Sequence, residues 1–235
     1  MIDATQGYKE PLTEERLFGW HASLFPAGYS GLRKIKVGAW RDDAAGPMQV
    51  VSGRAGKERV HFEAPAAERI EQEMTSFLKW FHHEDRSVPV LRAGIAHLWF
   101  ITIHPFEDGN GRIARAITDM MLARLEDSSQ RFYSMSAQIR DERNAYYAIL
   151  EKTQKGTLDV TEWLNWFLSC LDHAVDKAWG TLDTVLSKAR FWESHTDVLF
   201  NERQRKILDL VKQGILIKDS SAGRSASYSL RAQTV

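Results

Sequence analysis

His104-Pro105-Phe106-Glu107-Asp108-Gly109-Asn110-Gly111-Arg112-Ile113-Ala114-Arg115 joins two strongly apolar stretches, and its reading decides how the rest of the chain is read. Proline disfavours a helical residue before it, so a helix running into Pro105 ends near His104. Asp108, Gly109, Asn110 and Gly111 are turn formers, and the two glycines let backbone N–H groups converge without Cβ clashes. A second helix starts at once, so its unpaired N–H groups and positive dipole end face the loop. Such a terminus favours an anion, typically phosphate. Arg112 and Arg115 lie three apart on the new helix and can share a face; arginine matches phosphate oxygens bidentately. Asp108 sits among these groups, and one carboxylate with phosphate oxygens and waters is the usual way to hold Mg²⁺. His104 supplies a base that works near neutral pH. Singly, each feature has a plainer reading: a structural histidine, an ordinary loop, two solvated arginines. Their coincidence within one short segment describes phosphoryl or nucleotidyl transfer to a hydroxyl.

Outward from this loop, 88–103 is apolar nearly all round (Val90, Leu91, Ile95, Leu98, Trp99, Phe100, Ile101, Ile103), which predicts a helix at the centre of a bundle. Helices are also predicted over 64–82, where Ile70, Met74, Phe77, Leu78 and Phe81 recur at helical spacing, and over 113–125, 141–153, 161–179, 182–194 and 202–211. Residues 12–25 read as a helix with Thr13 as N-cap and Glu14 and Glu15 in the first turn; Pro26 to Gly31 breaks it. The stretch 34–63 differs. Lys34-Ile35-Lys36-Val37 alternates, and the runs Met48 to Val51 and Arg59 to Phe62 flank a glycine-bearing turn, Ser52 to Lys57, which predicts a β-hairpin. Short connections favour antiparallel neighbours. The expected fold is an all-α bundle carrying one hairpin. The organisation reads as an N-terminal helical segment (1–30), a core with a hairpin at about 37–63 (31–180), a linker helix (181–200) and a tail (201–235).

The 235 residues are 43% hydrophobic and 26% charged with zero formal net charge, so no bulk electrostatic pull toward nucleic acid or membrane is implied. The single cysteine, Cys170, lies in an apolar run and reads as a small buried hydrophobe in a reducing compartment. No apolar run reaches membrane-spanning length, and Met1 to Gln6 lacks a secretion-signal pattern, so a cytoplasmic location is expected.

The twelve quoted residues match, at every fixed position, the signature of the Fic family, His-Pro-Phe-x-Asp/Glu-Gly-Asn-Gly-Arg-x-x-Arg, and the resemblance runs over roughly Leu12 to Leu171. What the resemblance implies is specific. It makes the fold a Fic-type helical bundle with a β-hairpin flap, and the activity transfer of AMP from ATP to a Tyr, Thr or Ser hydroxyl of a target protein or of the chain itself. His104 is implied as general base, Asp108 as ligand of Mg²⁺ on the nucleotide phosphates, Gly109, Asn110, Gly111 and Arg112 as the anion hole, and Arg115 as the grip on the terminal phosphate. Phe106 is implied as the buried anchor of the loop. The family's flap, which clamps nucleotide and target, corresponds to the hairpin around Val51, Ser52, Gly53 and Arg54, whose edge can align a target segment by strand addition. Tyr146-Tyr147 resembles a tyrosine pair placed near the adenine, with core packing an equal reading for one of them; Gln154 stands where some relatives have asparagine. UMP or phosphocholine transfer, AMP removal, and a DNA-binding regulator with a nucleotide-sensing domain are the alternatives.

Other motifs receive plainer readings. His97, seven residues before His104, is expected to make a structural hydrogen bond. His82-His83-Glu84-Asp85 is expected to be a solvated helix end, and Trp163, Trp166 and Phe167 a core stripe. Many Fic proteins carry an inhibitory helix of pattern Ser/Thr-x-x-x-Glu-Gly/Asn. The sequence holds no Glu-Gly or Glu-Asn pair, so the expectation is a deregulated core, or inhibition by a partner chain. The resemblance also admits a homodimer. Residues 201–208, 214–217 and 223–228 resemble the start and wing of a winged-helix module, with too little sequence between them for a recognition helix. DNA binding is therefore not expected, nor is a membrane partner.

Overall fold

The computed structural model describes residues 2–44, 46–54, 57, 59–83, 88–196, 199–212, 216–218 and 228–230. Its architecture follows from α4 (Pro89–Ile103), which opens on a proline at the first helical turn, where the missing N–H costs nothing. Ala93, Gly94, Ala96, His97, Phe100, Ile101 and Ile103 are all buried, so α4 is enclosed as its all-round apolarity predicts. Packed along it is α5 (Asn110–Glu126), whose Ile113, Ala114, Ile117 and Met120 are fully covered. α3 (Ile70–His82) lays Ile70, Met74, Phe77 and Phe81 against α4, an i, i+4, i+7, i+11 stripe. α8 (Thr161–Glu193) approaches α4 closely. Trp163 Nε1 donates to the Gly94 carbonyl at 2.9 Å, and a Cβ on Gly94 would lie 3.0 Å from both Leu164 and Phe167. Glycine is thus required there by the approach of the two helices. Trp163 and Phe167 belong to the core, and Cys170 is fully buried, with its thiol pushed up to about 12 by that burial.

Among the described residues the remaining helices are α1 (Ile2–Gln6), α2 (Glu14–Leu24), α6 (Met135–Asp141), α7 (Arg143–Gln154) and α9 (Glu202–Lys212), with a 3-10 turn at Ala67–Arg69. Thr13 caps α2 as expected, its side chain accepting from Arg16 N at 3.2 Å. The sequence reading missed α1 and α6. α1 is held by tertiary bonds, with Asp3 accepting from Arg16 Nε (2.9 Å) and Trp20 Nε1 (2.7 Å). α6 has a legible N-cap, Ser134, which accepts from Ala137 N at 3.2 Å. The two helices expected over 161–179 and 182–194 are one. Gly180 costs a helix only about 1 kcal/mol, and the ladder passes through it with the Thr181 and Thr184 hydroxyls bonded to the carbonyls four residues back.

Strands occur as three two-stranded antiparallel ribbons among the described residues. β3 (Gln49–Ser52) and β4 (Arg59–Glu63) form the expected hairpin, with Gln49 opposite Glu63, Ser52 opposite Arg59, and a register shift between Val50 and Val51. The alternating run from Lys34 is not a strand of that hairpin. Only Arg33–Lys34 (β2) pairs, with Tyr29–Ser30 (β1); beyond it Ile35 is buried and Gly38 turns at φ +66°. By contact the chain divides into two compact units, Met1–Ala174 and Val175–Val235. In the second, Asp209 of α9 accepts from Trp192 Nε1 at 3.2 Å and pairs with Lys188 at 3.0 Å. Leu216–Lys218 (β5) pairs with Tyr228–Leu230 (β6). Residues 213–215 and 219–227, which carry most of the wing-like sequence, lie outside the described residues. Among the described residues no helix is long and apolar enough to cross a membrane.

Candidate active site

The loop between α4 and α5 is fixed from both sides by buried groups. His104 closes α4 in the left-handed region, φ 52° and ψ 55°. That conformation is uncommon for a residue with a Cβ and persists where the surroundings over-determine it. Those surroundings centre on Arg41. Its Nε donates to the His104 carbonyl at 2.8 Å, its backbone N–H to the Pro105 carbonyl at 2.9 Å, and another guanidinium nitrogen to the Pro65 carbonyl. Asp43 balances its charge at 2.6 Å. Phe106 is fully buried, stacked on His21 at 4.2 Å between ring centroids and wedged against Trp40 at 5.0 Å. Asn110, 2% exposed, accepts from Phe106 N at 3.0 Å and donates to Phe106 O at 2.7 Å. Its side chain therefore holds the loop, and what it can offer an anion is its backbone. His21 accepts from Gly38 N at Nδ1 (3.1 Å), so Nε2 carries the proton donated to the Asp108 carbonyl (3.2 Å).

Gly109 starts α5 at φ +81°, and a Cβ there would meet Phe25 at 2.9 Å. A Gly109→Ala variant is expected to lose about 2 kcal/mol of stability, from left-handed strain plus displacement of the ring. Urea unfolding with an unchanged m-value checks this. A loss within experimental error would show that the loop relaxes freely.

Facing this loop is a cavity of about 550 Å³. It brings together His104, Asp108, Gly111 and Arg115 from the loop and α5, Tyr146, Tyr147 and Gln154 from α7, and Val51 and Ser52 from β3. Gly109, Asn110, Gly53 and Arg54, expected at the site, are not among the residues that line it. Arg112 lines an adjoining lobe of about 400 Å³ that shares Arg115, Arg143, Tyr146 and Tyr147 with the first. No hydrogen bond or ion pair joins the side chain of Arg112 or Arg115 to another described residue; the Arg112 side chain rests on the Phe25 ring at 4.6 Å. Two free guanidinium groups beside the N-terminus of α5 are the chemistry that suits an anion.

His104 leaves one ring nitrogen open. Its Nδ1 contacts the Ile101 carbonyl at 3.2 Å. A carbonyl only accepts, so Nδ1 carries the proton and Nε2 keeps its lone pair. Burial, aided by the Arg41 charge, pushes its pKa down to about 4, against the pull of the Ile101 carbonyl and Asp108. The imidazole is therefore neutral at pH 7. Asp108 accepts from the Ser30 hydroxyl and from Gly109 N, which orients its carboxylate at the cavity wall. A hard oxygen donor beside an anion site suits Mg²⁺ shared with phosphate oxygens. Among the described residues no group of three or more His, Cys, Asp or Glu could hold a metal ion.

The two tyrosines separate. Tyr146 is 3% exposed and donates to His97 Nε2 at 3.0 Å; His97 Nδ1 donates to Thr118 Oγ1 at 2.9 Å, which donates on to the Ala114 carbonyl. This one-way chain accounts for His97 as a structural residue, neutral with its pKa pushed down to about 3 by burial and the Arg115 charge. Tyr147, 51% exposed under the Arg143 guanidinium, is the ring free to meet a ligand. Gln154 donates to Thr102 Oγ1 at 3.2 Å. Of the polar group at the end of α3, His82 bonds the Leu12 carbonyl at 2.8 Å and is exposed, as is His83, while Glu84 and Asp85 lie outside the described residues. Sequence reasoning missed Arg41, Arg143, His61 and Glu151. Arg143, one helical turn before Tyr147, carried a local signal; the others act across long sequence separations.

Residues 11–122 match the Fic/DOC family. The chain is 30% identical over 114 residues to a protein adenylyltransferase Fic of Nematostella vectensis, an alignment covering 48% of this chain and 25% of that protein. It is 31% identical over 113 residues to a protein adenylyltransferase Fic of Drosophila yakuba, covering 47% and 21%. The chain thus spans about a quarter of the length of these curated relatives. Among solved structures, a Fic family protein from Desulfovibrio desulfuricans G20 shares the fold with a TM-score of 0.60 at 22% identity, over 99% of this chain and 73% of that one. A Fic domain containing signaling protein from Bacteroides thetaiotaomicron VPI-5482 aligns with a TM-score of 0.58 at 26% identity, over 75% and 65%.

Proposed function

Since the chain carries a Fic domain, we propose that it is a nucleotidyltransferase that moves AMP from ATP to a hydroxyl side chain of a protein. The observation that supports this best is one cavity in which the free Nε2 of a neutral His104 shares a wall with Asp108, the start of α5 and the unpaired Arg115. His104 takes the proton of the incoming hydroxyl, whose oxygen attacks the α-phosphorus as pyrophosphate leaves. Arg115, with Arg112 in the adjoining lobe, and the N–H groups of α5 offset the phosphate charge. Asp108 would hold Mg²⁺, which supplies further neutralisation of that charge when bound. Catalysis is then mainly positioning and electrostatics. The exposed Tyr147 and the apolar Val51 and Leu150 offer faces for the base. β3 pairs only with β4 among the described residues, which leaves an edge where an extended target segment can add as a strand.

The test is incubation with Mg²⁺ and each of four α-labelled nucleoside triphosphates, with and without cell lysate. Protein-bound label from ATP supports the reading. Label from UTP alone keeps the mechanism and changes the donor, and no label from any of them defeats the reading.

The depressed pKa of His104 gives a pH signature. The base works only when neutral, so activity is present above its pKa and is lost as pH falls through it. kcat/KM, which reports the free enzyme, is expected to hold from neutrality to about pH 5 and to fall near pH 4. An acid limb near the ordinary histidine value of about 6.5 would contradict this environment for His104.

A further inference from the structure

The flap carries a constellation that the transfer mechanism leaves unused. Ser52 Oγ lies 2.6 Å from His61 Nε2, and His61 Nδ1 lies 2.6 Å from Glu151 Oε2. Ser52 ends β3 opposite Arg59, His61 is the residue of β4 that the register shift leaves without a facing partner, and Glu151 is on α7. All three line the same cavity as His104, Asp108 and Arg115. The hydrogen bonds have one consistent direction. Glu151 takes Arg59 (2.9 Å) and Lys155 (2.7 Å) on its other oxygen, and Lys155, His61 and Arg59 together hold its pKa down to about 2. An ionised carboxylate only accepts, so His61 Nδ1 carries a proton, and in the neutral imidazole Nε2 is then the acceptor. The Ser52 hydroxyl then donates to an imidazole that Glu151 orients from its other side. This is the serine–histidine–carboxylate arrangement, recognised by geometry and role and not by chain order.

This hydroxyl shares its cavity with Arg115 and Gly111, beside which the reading above puts the nucleotide phosphates. Resting on the adenylyltransferase reading above, we propose that Ser52 is an acceptor at which the chain adenylylates itself. The Ser52 proton passes to His61 Nε2, and Oγ bonds to the α-phosphorus of ATP. The bond from that phosphorus to the bridging oxygen breaks, and pyrophosphate leaves with the electron pair. The product is a phosphodiester between Ser52 and AMP, and His61 returns its proton to water. Gly53, at φ +113°, opens the turn directly after Ser52, so the acceptor sits where the hairpin can bend. An AMP group there would occupy the cavity mouth and oppose entry of a second target.

The test is mass spectrometry of the whole chain after incubation with Mg²⁺ and ATP, with peptide mapping of the adduct and cell lysate present in a parallel reaction. AMP is expected on Ser52, at a rate per molecule that does not depend on enzyme concentration. It should be absent from that peptide in Ser52→Ala, and its rate should fall on the order of 10²-fold in His61→Gln. AMP on lysate proteins, or on another residue of the chain, with Ser52 bare overturns this inference and leaves the transferase reading standing. Equal modification of Ser52 with and without the His61 imidazole overturns the activation argument. No AMP on any protein defeats both readings.

Discussion

Replacing His104 by alanine is expected to slow AMP transfer by about 10³-fold, the middle of the ~10²–10⁴ range supplied by a positioned base, while nucleotide affinity stays nearly unchanged. That loss corresponds to about 4 kcal/mol of barrier. The separation of the two effects follows from the geometry. The proposed anion site belongs to Arg112, Arg115 and the start of α5, none of which bonds to the His104 ring; that ring meets the Ile101 carbonyl. One complication must be removed. His104 is left-handed at φ 52°, where an alanine costs about 1–2 kcal/mol of backbone strain, so a loss of activity could reflect a deformed loop. His104→Asn answers this, because asparagine tolerates the left-handed region and cannot serve as the base. Transfer and ATP binding by both variants, beside urea unfolding of each, make the measurement. Equal loss of transfer in the two, with binding kept, supports the base. Normal transfer by the asparagine variant would remove His104 from the chemistry.

The loop that carries the proposed site was legible in the sequence because its signals are local. A proline that ends one helix, glycines that start the next and arginines three apart all act within one stretch, and each leaves a positional trace. The central helix was legible for a similar reason: an unbroken apolar circumference has only a buried solution. What was not legible lies in pairings across the chain. Arg41 reaches the His104 carbonyl from 63 residues away, and His61 reaches Glu151 across 90. Neither has a spacing that marks it. The choice between Tyr146 and Tyr147 turned on which hydroxyl meets His97, a tertiary fact. α1 has one turn and little periodicity to detect, and Gly180 suggested a break because a glycine's cost, though real, is small beside the continuing ladder. The alternation from Lys34 failed because a period of two shows a residue's two faces but not whether a partner strand exists.

Arg41 was absent from the sequence reading, yet its removal carries the largest expected cost in stability. Its side chain is fully covered, and it bonds the carbonyls of His104 and Pro65 while pairing with Asp43. Burial lowers its pKa and Asp43 opposes that shift, the pattern of a charge tolerated inside only because it is paired. Removing one partner of a buried pair typically costs about 3–5 kcal/mol, because the other is left uncompensated. Asp43 keeps the Ala67 N–H at 2.7 Å and is partly open to solvent, so the lower end applies. Arg41→Met is expected to lose about 3 kcal/mol, read from the urea midpoint at constant m-value. Arg41→Lys should recover little of it, since one ammonium cannot span two carbonyls and a carboxylate as a planar fork does. The effect should also reach the chemistry. With its carbonyl released, His104 has less to hold it left-handed, so the folded fraction of Arg41→Met should show a lower kcat at unchanged ATP affinity. A stability change below about 1 kcal/mol, the ordinary size for a surface substitution, would mean that the loop is set by Phe106 and Asn110 alone.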